Sequence, residues 1–190
     1  MSAQYHDIVS GLSPDPFAVL GRHKVGRKTV LRTFAPGADT VEILSPRGKT
    51  PLATLSRLHD AGVFEGPISG SKIKSGYRYR AWYGDMPHIY RDPYAFEPSI
   101  GDLDLYLLSE GRHAHAFRCL GAHVMEQDGV KGTRFAVWAP NAKSVCLAAD
   151  FNLWSDVRHP MRSRGGSGVW ELFVPDVGDG AVYKLSLIHI

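Results

Sequence analysis

The sequence predicts an all-β protein of two tandem immunoglobulin-like β-sandwiches, with a short N-terminal helix and a short helical bridge. Three observations predict this fold: a repeat of sequence blocks, a two-residue alternation of apolar and polar side chains, and regularly spaced Gly, Pro and Asp clusters. The 190 residues accommodate two domains of about 100 residues. A (β/α)₈ barrel needs about 250 residues, so that fold is excluded.

An internal repeat sets the domain organisation. Four blocks recur in the same order, at offsets that grow from 100 to 106 positions. The matched blocks are 17–23 with 117–123, 34–43 with 138–147, 62–65 with 168–171, and 77–78 with 183–184. A constant order at a near-constant offset indicates duplicated units. We therefore predict a first sandwich over residues 1–97, a bridge over 98–116 and a second sandwich over 117–190.

Strand patterns follow one another through both units. In the first unit they cover 29–34, 40–44, 63–68 and 77–83. In the last of these, Tyr77, Tyr79, Ala81 and Tyr83 are predicted to face one side of the sheet and Arg78, Arg80 and Trp82 the other, as a sheet with one buried face requires. In the second unit, both alternating sets of residues 169–174 are largely apolar. That strand is therefore predicted to be covered on both faces.

Two helices interrupt the strands. Residues 4–11 place Ile8, Val9 and Leu12 on one face, which predicts a short N-terminal helix. In the bridge, Ser99 is predicted to cap a helix that Gly111 ends. Its apolar stripe would consist of Ile100, Leu103 and Leu107, so the bridge is predicted to pack rather than to act as a flexible tether.

Composition excludes several classes of function. The net charge is +3 and the basic residues lie in small groups, which argues against a nucleic-acid-binding protein. The nine His do not group at metal-ligand spacing, and Cys119 and Cys146 lie in apolar contexts typical of buried reduced thiols. We therefore expect no metal site and no cofactor. No stretch approaches 18 apolar residues and the first residues do not resemble a signal peptide, so we expect a cytoplasmic protein without a membrane partner.

The residues do not assemble a catalytic pattern. The acidic side chains are isolated in turn-like contexts, where Asp is favoured for local hydrogen bonds, rather than paired. Ser167 in a Gly-Gly-Ser-Gly segment fits a hairpin loop better than a nucleophile elbow. His23 and His123 occupy equivalent places in the repeat, which indicates a role in a turn or a cap rather than in catalysis. We therefore predict no catalytic residue. Trp138 and Trp170 alternate within strands and are predicted to lie in the core.

The segment 150–156 has two interpretations. Phe151 and Trp154 would either anchor a turn to the core, or Trp154 would form a platform for a sugar ring, whose apolar C–H face stacks on an indole. Neighbouring Asn, Asp and Lys groups would then bind sugar hydroxyls. Lys184, on the strand after a Gly-Asp-Gly turn, is either such a group or an ordinary solvated lysine.

The chain resembles the N-terminal region of the bacterial 1,4-α-glucan (glycogen) branching enzyme family from about Asp15 to Lys184. The motifs are Asp-Pro-Phe-Ala-Val-Leu-Gly-Arg-His at 15–23, Asp-Pro-Tyr-Ala-Phe at 92–96, Leu-Leu-Ser-Glu-Gly at 107–111, Leu-Gly-Ala-His at 120–123, Gly-Thr-Arg-Phe-Ala-Val-Trp-Ala-Pro-Asn-Ala at 132–142, Asp-Phe-Asn-Leu-Trp at 150–154 and Arg-His-Pro-Met-Arg at 158–162. Trp-Ala-Pro-Asn-Ala at 138–142 with Phe-Asn-x-Trp at 151–154 would alone resemble only carbohydrate-binding modules of family 48, which also occur in isoamylases, debranching enzymes and kinase β-subunits.

The resemblance implies a β-sandwich, then a family 48 module, then a glycoside hydrolase family 13 barrel that cleaves α-1,4 bonds and makes α-1,6 branches with two carboxylates. The catalytic residues of that barrel have no counterpart here, so the chain is expected to be inactive alone. The implied partners are α-1,4-glucans such as glycogen and amylose, together with the barrel. The glucan-binding residues carried over are Trp154 and Lys184.

Two features limit the resemblance. A second stacking Trp found in some members has no counterpart, and residues 185–190 depart from the family pattern. We therefore expect the second sandwich to be truncated at its C-terminal end. The alternative function is a stand-alone glycogen-binding or scaffolding module without enzyme activity.

Overall fold

The protein forms two compact units. The computed structural model describes residues 3–68 and 76–188. One unit joins Met1–Val9 to Phe17–Ala95, and the other joins Ser10–Pro16 to Phe96–Ile190. Each unit is therefore assembled from two separate stretches of chain. The domain boundaries at residues 97 and 116 remain a prediction.

The first unit is built of antiparallel strands preceded by a short helix. The elements are α1 (Ala3–Val9), β1 (Gly21–Val25), β2 (Lys28–Phe34), β3 (Thr40–Leu44), β4 (Pro51–His59), β5 (Val63–Ile68), β6 (Arg78–Tyr83) and β7 (Met86–Arg91). The strands lie in the order β1-β2-β5-β4-β3-β6-β7. Helix α1 ends two residues earlier than predicted, because Gly11 takes a left-handed φ of 69°. Leu12 is accordingly exposed.

The sheet of the first unit bends at β4 to form a sandwich. Residues 51–55 of β4 pair with β3, whereas residues 56–59 pair with β5, with a register shift between Arg57 and His59. A strand that changes partners in this way turns the corner between two sheet layers. The layers meet where the Tyr79 hydroxyl oxygen lies 3.4 Å from the carbonyl oxygen of Arg32. Their shared core includes Leu31, Ile43, Phe64 and Tyr79.

The predicted alternation holds from Tyr77 to Ala81, whereas Trp82 and Tyr83 are both half-buried. Tyr77, Tyr79 and Ala81 are buried, whereas Arg78 and Arg80 are only partly buried. The two inward tyrosines surround a fully buried carboxyl group, Asp92, which follows β7. Its Oδ2 accepts the hydroxyls of Tyr77 at 2.5 Å and Tyr79 at 3.2 Å, and its Oδ1 accepts the amide of Tyr94 at 3.0 Å. Burial raises the pKa of Asp92 to about 6 despite these hydrogen bonds.

The second unit contains a helix and two facing sheets. The elements are α2 (Asp102–Ser109), β8 (Gly121–Gln127), β9 (Val130–Trp138), β10 (Ser144–Ala149), β11 (Arg162–Ser163), β12 (Val169–Pro175) and β13 (Tyr183–Ile188). One sheet has the order β11-β12-β9-β8 and the other pairs β10 with β13. Phe135 of β9 and Tyr183 of β13 meet between the sheets, with ring centroids 4.8 Å apart. The predicted all-β sandwich class, with its N-terminal helix and helical bridge, is confirmed.

Strand β12 is covered on both faces, as predicted, and all its residues are buried. Val169 packs with Ile100 and Leu108 from the bridge. Two details of the predicted bridge were wrong. Leu103 is 70% exposed, so the buried face of α2 runs through Leu108 instead. The N-cap residue is Gly101 rather than Ser99.

Ser99 has a different partner, the buried carboxylate of Glu171 in β12. One Glu171 oxygen accepts the Ser99 amide at 2.6 Å, the Ser99 hydroxyl at 2.8 Å and the Ile100 amide at 3.1 Å. The other oxygen accepts Arg164 Nη1 at 2.5 Å. Glu171 is 3% exposed. A buried charge is tolerated when it is paired and hydrogen-bonded in this way.

Equivalent residues of the repeat make equivalent contacts. The ring Nε2 of His23 lies 3.0 Å from the carbonyl of Leu20, and that of His123 lies 2.9 Å from the carbonyl of Leu120. Both histidines therefore serve a turn, as predicted. Gly62 and Gly168 also correspond: each has a positive φ, and each carbonyl accepts an amide from the Ala-Pro turn at 2.8 Å.

The second unit also contains both cysteines and the C-terminal end of the chain. Cys119 and Cys146 are buried free thiols, as predicted, and burial raises the pKa of Cys146 to about 12. Residues 185–188 of the divergent end lie in β13, and His189 and Ile190 lie outside the described residues. No helix in the described part of the chain has the length and apolar content that crossing a bilayer requires.

Candidate functional site

Trp154 stands on a tight turn that follows β10. Residues Asp150–Asn152 form a 3₁₀ turn, and Leu153 and Trp154 then both adopt left-handed backbone conformations, with φ of 60° and 57°. Such a conformation costs roughly 1–2 kcal/mol per non-glycine residue. It is held here by hydrogen bonds, since the amide of Trp154 donates to the carbonyl of Ala149 at 2.8 Å.

Asn152 locks this turn from below. Its Oδ1 accepts the amide of Ala149 at 2.8 Å, and its Nδ2 donates to the carbonyl of Leu147 at 2.7 Å and lies 2.8 Å from His159 Nδ1. The residue is 3% exposed. The Asn side chain of this segment is therefore directed into the protein rather than toward solvent. Asn152 positions the turn, because its polar atoms are already engaged inside the protein.

The aromatic pair of the turn divides into an anchor and an exposed ring. Phe151 is half-buried, with its ring centroid 5.7 Å from that of His159 and 6.2 Å from that of Phe135. Trp154 is 45% exposed. Only Phe151 therefore anchors the turn to the core, and the indole of Trp154 is available at the surface.

Lys184 reaches the same place from the neighbouring strand. It lies on β13 directly opposite Ala148 of β10, and its side chain is exposed. Its Nζ lies 5.9 Å from the ring centroid of Trp154, within the range of a cation–π contact. The structure thus brings together both predicted site residues. An exposed indole beside an ammonium donor offers one apolar surface and one hydrogen-bond donor, without a reactive group.

Trp138 is a surface residue that the sequence interpretation placed in the core. It is 51% exposed, and its Nε1 donates to the carbonyl of Ser167 at 3.2 Å. Trp138 ends β9 on the same face as Ala136, which packs against the helical bridge. The bridge covers that face only as far as Val169, which is the residue of β12 that pairs with Trp138. Position at the end of the strand, which alternation does not report, leaves the ring exposed.

Ser167 has a structural role. It ends a 3₁₀ turn, Gly165–Ser167, directly before β12. Its hydroxyl donates to the carbonyl of Arg164 at 3.0 Å and accepts the amide of Val169 at 3.2 Å. These contacts fit the predicted loop.

A group of potential metal ligands lies elsewhere in the second unit. Asp104, His113 and Cys119 each offer one ligand atom, and these atoms lie within 4.8 Å of one another. Sequence spacing gave no sign of this group, since eight and five residues separate its members. Helix α2 and the loop that follows it bring them together.

Two protein-family models match the two parts of the chain. Residues 1–94 match "alpha-1,4-glucan branching enzyme GlgB, N-terminal domain". Residues 119–189 match "Carbohydrate-binding module 48 (Isoamylase N-terminal domain)". The second unit therefore contains the region that is similar to the family 48 class of modules.

Relatives match nearly the whole chain. The 1,4-alpha-glucan branching enzyme GlgB of Rubrobacter xylanophilus is 50% identical over 181 residues, covering 95% of this chain and 24% of that protein. The Roseobacter denitrificans enzyme is 46% identical, covering 95% and 25%. The chain thus spans about a quarter of the length of these relatives. It belongs to the GlgB family of 1,4-alpha-glucan branching enzymes, whose N-terminal region it matches.

The solved structures that resemble the chain include a pullulanase and the protein PulA. Pullulanase from Anoxybacillus sp. LM18-11, crystallised with maltotriose, is 18% identical and covers 84% of this chain and 22% of its own, with a TM-score of 0.31. PulA from Klebsiella pneumoniae is 17% identical, covers 88% of this chain and 18% of its own, and has a TM-score of 0.32.

Proposed function

We propose that this chain is the non-catalytic, glucan-contacting N-terminal part of a cytoplasmic 1,4-α-glucan branching enzyme. In this proposal it holds long α-1,4-glucan chains, such as glycogen or amylose, for a catalytic barrel of glycoside hydrolase family 13. The barrel would supply the two carboxylates that cleave an α-1,4 bond and transfer the chain to a 6-hydroxyl. The observation that carries the proposal is the indole of Trp154, presented on a locked turn with the Lys184 ammonium beside it.

Trp154 would supply the apolar part of the contact. The C–H face of a glucose ring covers an indole face and removes apolar surface from water. Trp154 is 45% exposed, and one sugar ring covers about half of that exposed surface, which contributes roughly 1–2 kcal/mol at about 25 cal/mol per Å². One platform of this strength binds weakly, but a long glucan offers many equivalent rings to several modules at once.

Lys184 would supply the polar part. An ammonium group is a donor only, and it can bond the hydroxyl oxygens at the rim of a stacked sugar. Its position on β13 is fixed by the pairing of that strand with β10, the strand that leads into the Trp154 turn. Both groups therefore rest on one rigid pair of strands, which keeps their separation constant.

Affinity electrophoresis in gels containing glycogen or amylose tests the binding site. Trp154→Ala should lower the retardation of the chain about tenfold in apparent affinity, since roughly 1–2 kcal/mol is lost. Lys184→Met should weaken it less. Trp138→Ala is the matched control, because Trp138 is similarly exposed at 51% but lies on another strand. Unchanged retardation of Trp154→Ala, or an equal loss in Trp138→Ala, would remove Trp154 from the site.

A branching assay tests the non-catalytic part of the proposal. Incubation of the chain with amylose should leave the iodine absorbance unchanged. A spectral shift that grows with time and protein concentration would mean that the chain carries a catalytic site of its own. The gene downstream of residue 190 separates this proposal from the scaffold alternative, since the proposal requires a barrel-coding sequence there.

A further inference from the structure

The bridge of the second unit gathers three chemically different ligand groups. Asp104 lies in the first turn of α2, His113 lies in the loop after it, and Cys119 follows the 3₁₀ turn Ala116–Arg118. His113 Nε2 is 2.9 Å from Asp104 Oδ1 and 3.5 Å from Cys119 Sγ. The imidazole nitrogen therefore stands between the carboxylate and the thiol.

The group is enclosed on one side and open on the other. The side chain of His113 is 9% exposed, and Cys119 is 7% exposed. The Asp104 side chain is 43% exposed and provides the way in from solvent. The Cys119 backbone is fixed, because its carbonyl accepts Arg134 Nη2 at 3.2 Å. Two of the three ligands are thus held rigidly, and the third can adjust.

We propose that Asp104, His113 and Cys119 bind one Zn²⁺ ion, with water as the fourth ligand. Carboxylate oxygen, imidazole nitrogen and thiolate sulfur are the ligand types that Zn²⁺ takes, at about 2.0–2.3 Å. A tetrahedron with such bonds separates its ligand atoms by about 3.3–3.6 Å. The S···N distance of 3.5 Å already fits. The O···N distance of 2.9 Å must widen, which the exposed Asp104 side chain allows.

Ca²⁺ and Mg²⁺ do not suit this group. Both ions take six or more oxygen ligands and avoid thiolate sulfur. A single carboxylate beside a nitrogen and a sulfur selects a borderline-soft ion instead. Aspartate and thiolate together balance the charge of a divalent ion, so the bound site is neutral.

The protons of the free site have definite destinations. His113 Nδ1 accepts the amide of His115 at 3.1 Å, so the ring proton of the neutral imidazole lies on Nε2, which donates to Asp104. Zinc on Nε2 moves that proton to Nδ1, and the His115 amide must turn to solvent, since two donors cannot face each other. The Cys119 thiol releases its proton to the buffer. Binding thus exchanges two local hydrogen bonds for three metal bonds.

Cobalt titration of the full chain under reducing conditions tests the site. Bound Co²⁺ should give a thiolate-to-metal charge-transfer band at one ion per chain, and Zn²⁺ should displace it. Cys119→Ser should abolish the band. Cys146→Ser, which replaces the other buried cysteine, should retain it. Asp104→Asn and His113→Asn should each weaken Co²⁺ binding more than about tenfold.

Circular dichroism of each variant shows whether it folds. If Cys119→Ser fails to fold, Asp104→Asn is used instead. The Asp104 side chain is partly exposed, and asparagine has nearly the same shape as aspartate. Absence of the band in the wild type, or a band of equal strength in Cys119→Ser or Asp104→Asn, overturns the proposal. The three side chains would then be a hydrogen-bonded group that fixes the bridge.

Discussion

The buried carboxyl of Asp92 should make the first unit less stable as the pH rises from 4 to 7. Its pKa is 3.8 in the unfolded chain and about 6 in the folded protein, because burial disfavours the charged form. The folded protein therefore binds the proton more tightly. The stability contributed by this proton is present in full below pH 3.8 and is lost as the pH rises through about 6.

The size of the effect follows from the two pKa values. They differ by about 2.2, and one pKa unit corresponds to about 1.36 kcal/mol, so the loss is about 3 kcal/mol. The Tyr77 hydroxyl, 2.5 Å from Oδ2, favours the carboxylate and limits this loss. Tyr77→Phe should therefore increase the pH dependence, whereas Asp92→Asn should remove it.

Urea unfolding at half-unit steps from pH 4 to pH 7.5, followed by circular dichroism, measures the effect. The free energy of unfolding of the wild type minus that of Asp92→Asn should fall by about 2.4 kcal/mol over this range, most of the full effect, because part of the loss lies below pH 4. Taking the difference cancels the titration of other groups. Asp60→Asn, at an exposed turn of the same unit, is the matched control and should run parallel to the wild type. A difference that stays flat, or rises with pH, would refute the reasoning.

Three further changes address the second unit. Glu171→Gln should lower the free energy of unfolding by about 3 kcal/mol, because the partly buried guanidinium of Arg164 loses its charged partner at 2.5 Å; a loss below about 1 kcal/mol by urea unfolding would contradict this. Gly168→Ala should cost more than Gly129→Ala in thermal denaturation, since both glycines have positive φ but a Cβ only at residue 168 would lie 2.7 Å from a Pro140 atom; equal shifts in Tm would argue against the close approach. Asn152→Ala should reduce glycogen retardation although the side chain is buried, because the turn loses its hydrogen bonds; unchanged retardation would mean that the turn holds its shape without them.

The strand pattern and the repeat predicted most of the fold. A sheet imposes a period of two on its buried face, and tight turns favour Gly, Pro, Asn and Asp, so both features are visible locally in the sequence. Strand β12 shows how far this extends, since the apolar character of both its faces correctly predicted cover on both sides. The corner at β4 was not predictable in this way, because a change of pairing partner depends on where other strands lie.

The candidate site was predictable only in part. Trp154 and Lys184 were identified by residue type and by resemblance, and pairing of β10 with β13 brings them together. The burial of Asn152 and the exposure of Trp138 depend on tertiary contacts that neither alternation nor composition reports. The same holds for the His113 group, whose members reach one another only after α2 and its loop have folded.

The segment Ser10–Pro16 belongs to the second unit, although it precedes nearly all of the first unit in the chain. The carbonyl of Pro14 accepts the amide of Ser163 at 2.9 Å, and Asp15 forms an ion pair with Arg162 at 3.1 Å. On the ribosome these residues are synthesised about 150 positions before their partners. Their contacts with Arg162 and Ser163 can therefore form only after the whole first unit has been synthesised. A fragment cut at the limits of the carbohydrate-binding match, 119–189, would lack them. When this fragment is expressed alone, the edge of β11 that residues 10–16 cover would be exposed. A separate peptide of residues 10–16 should bind to that edge.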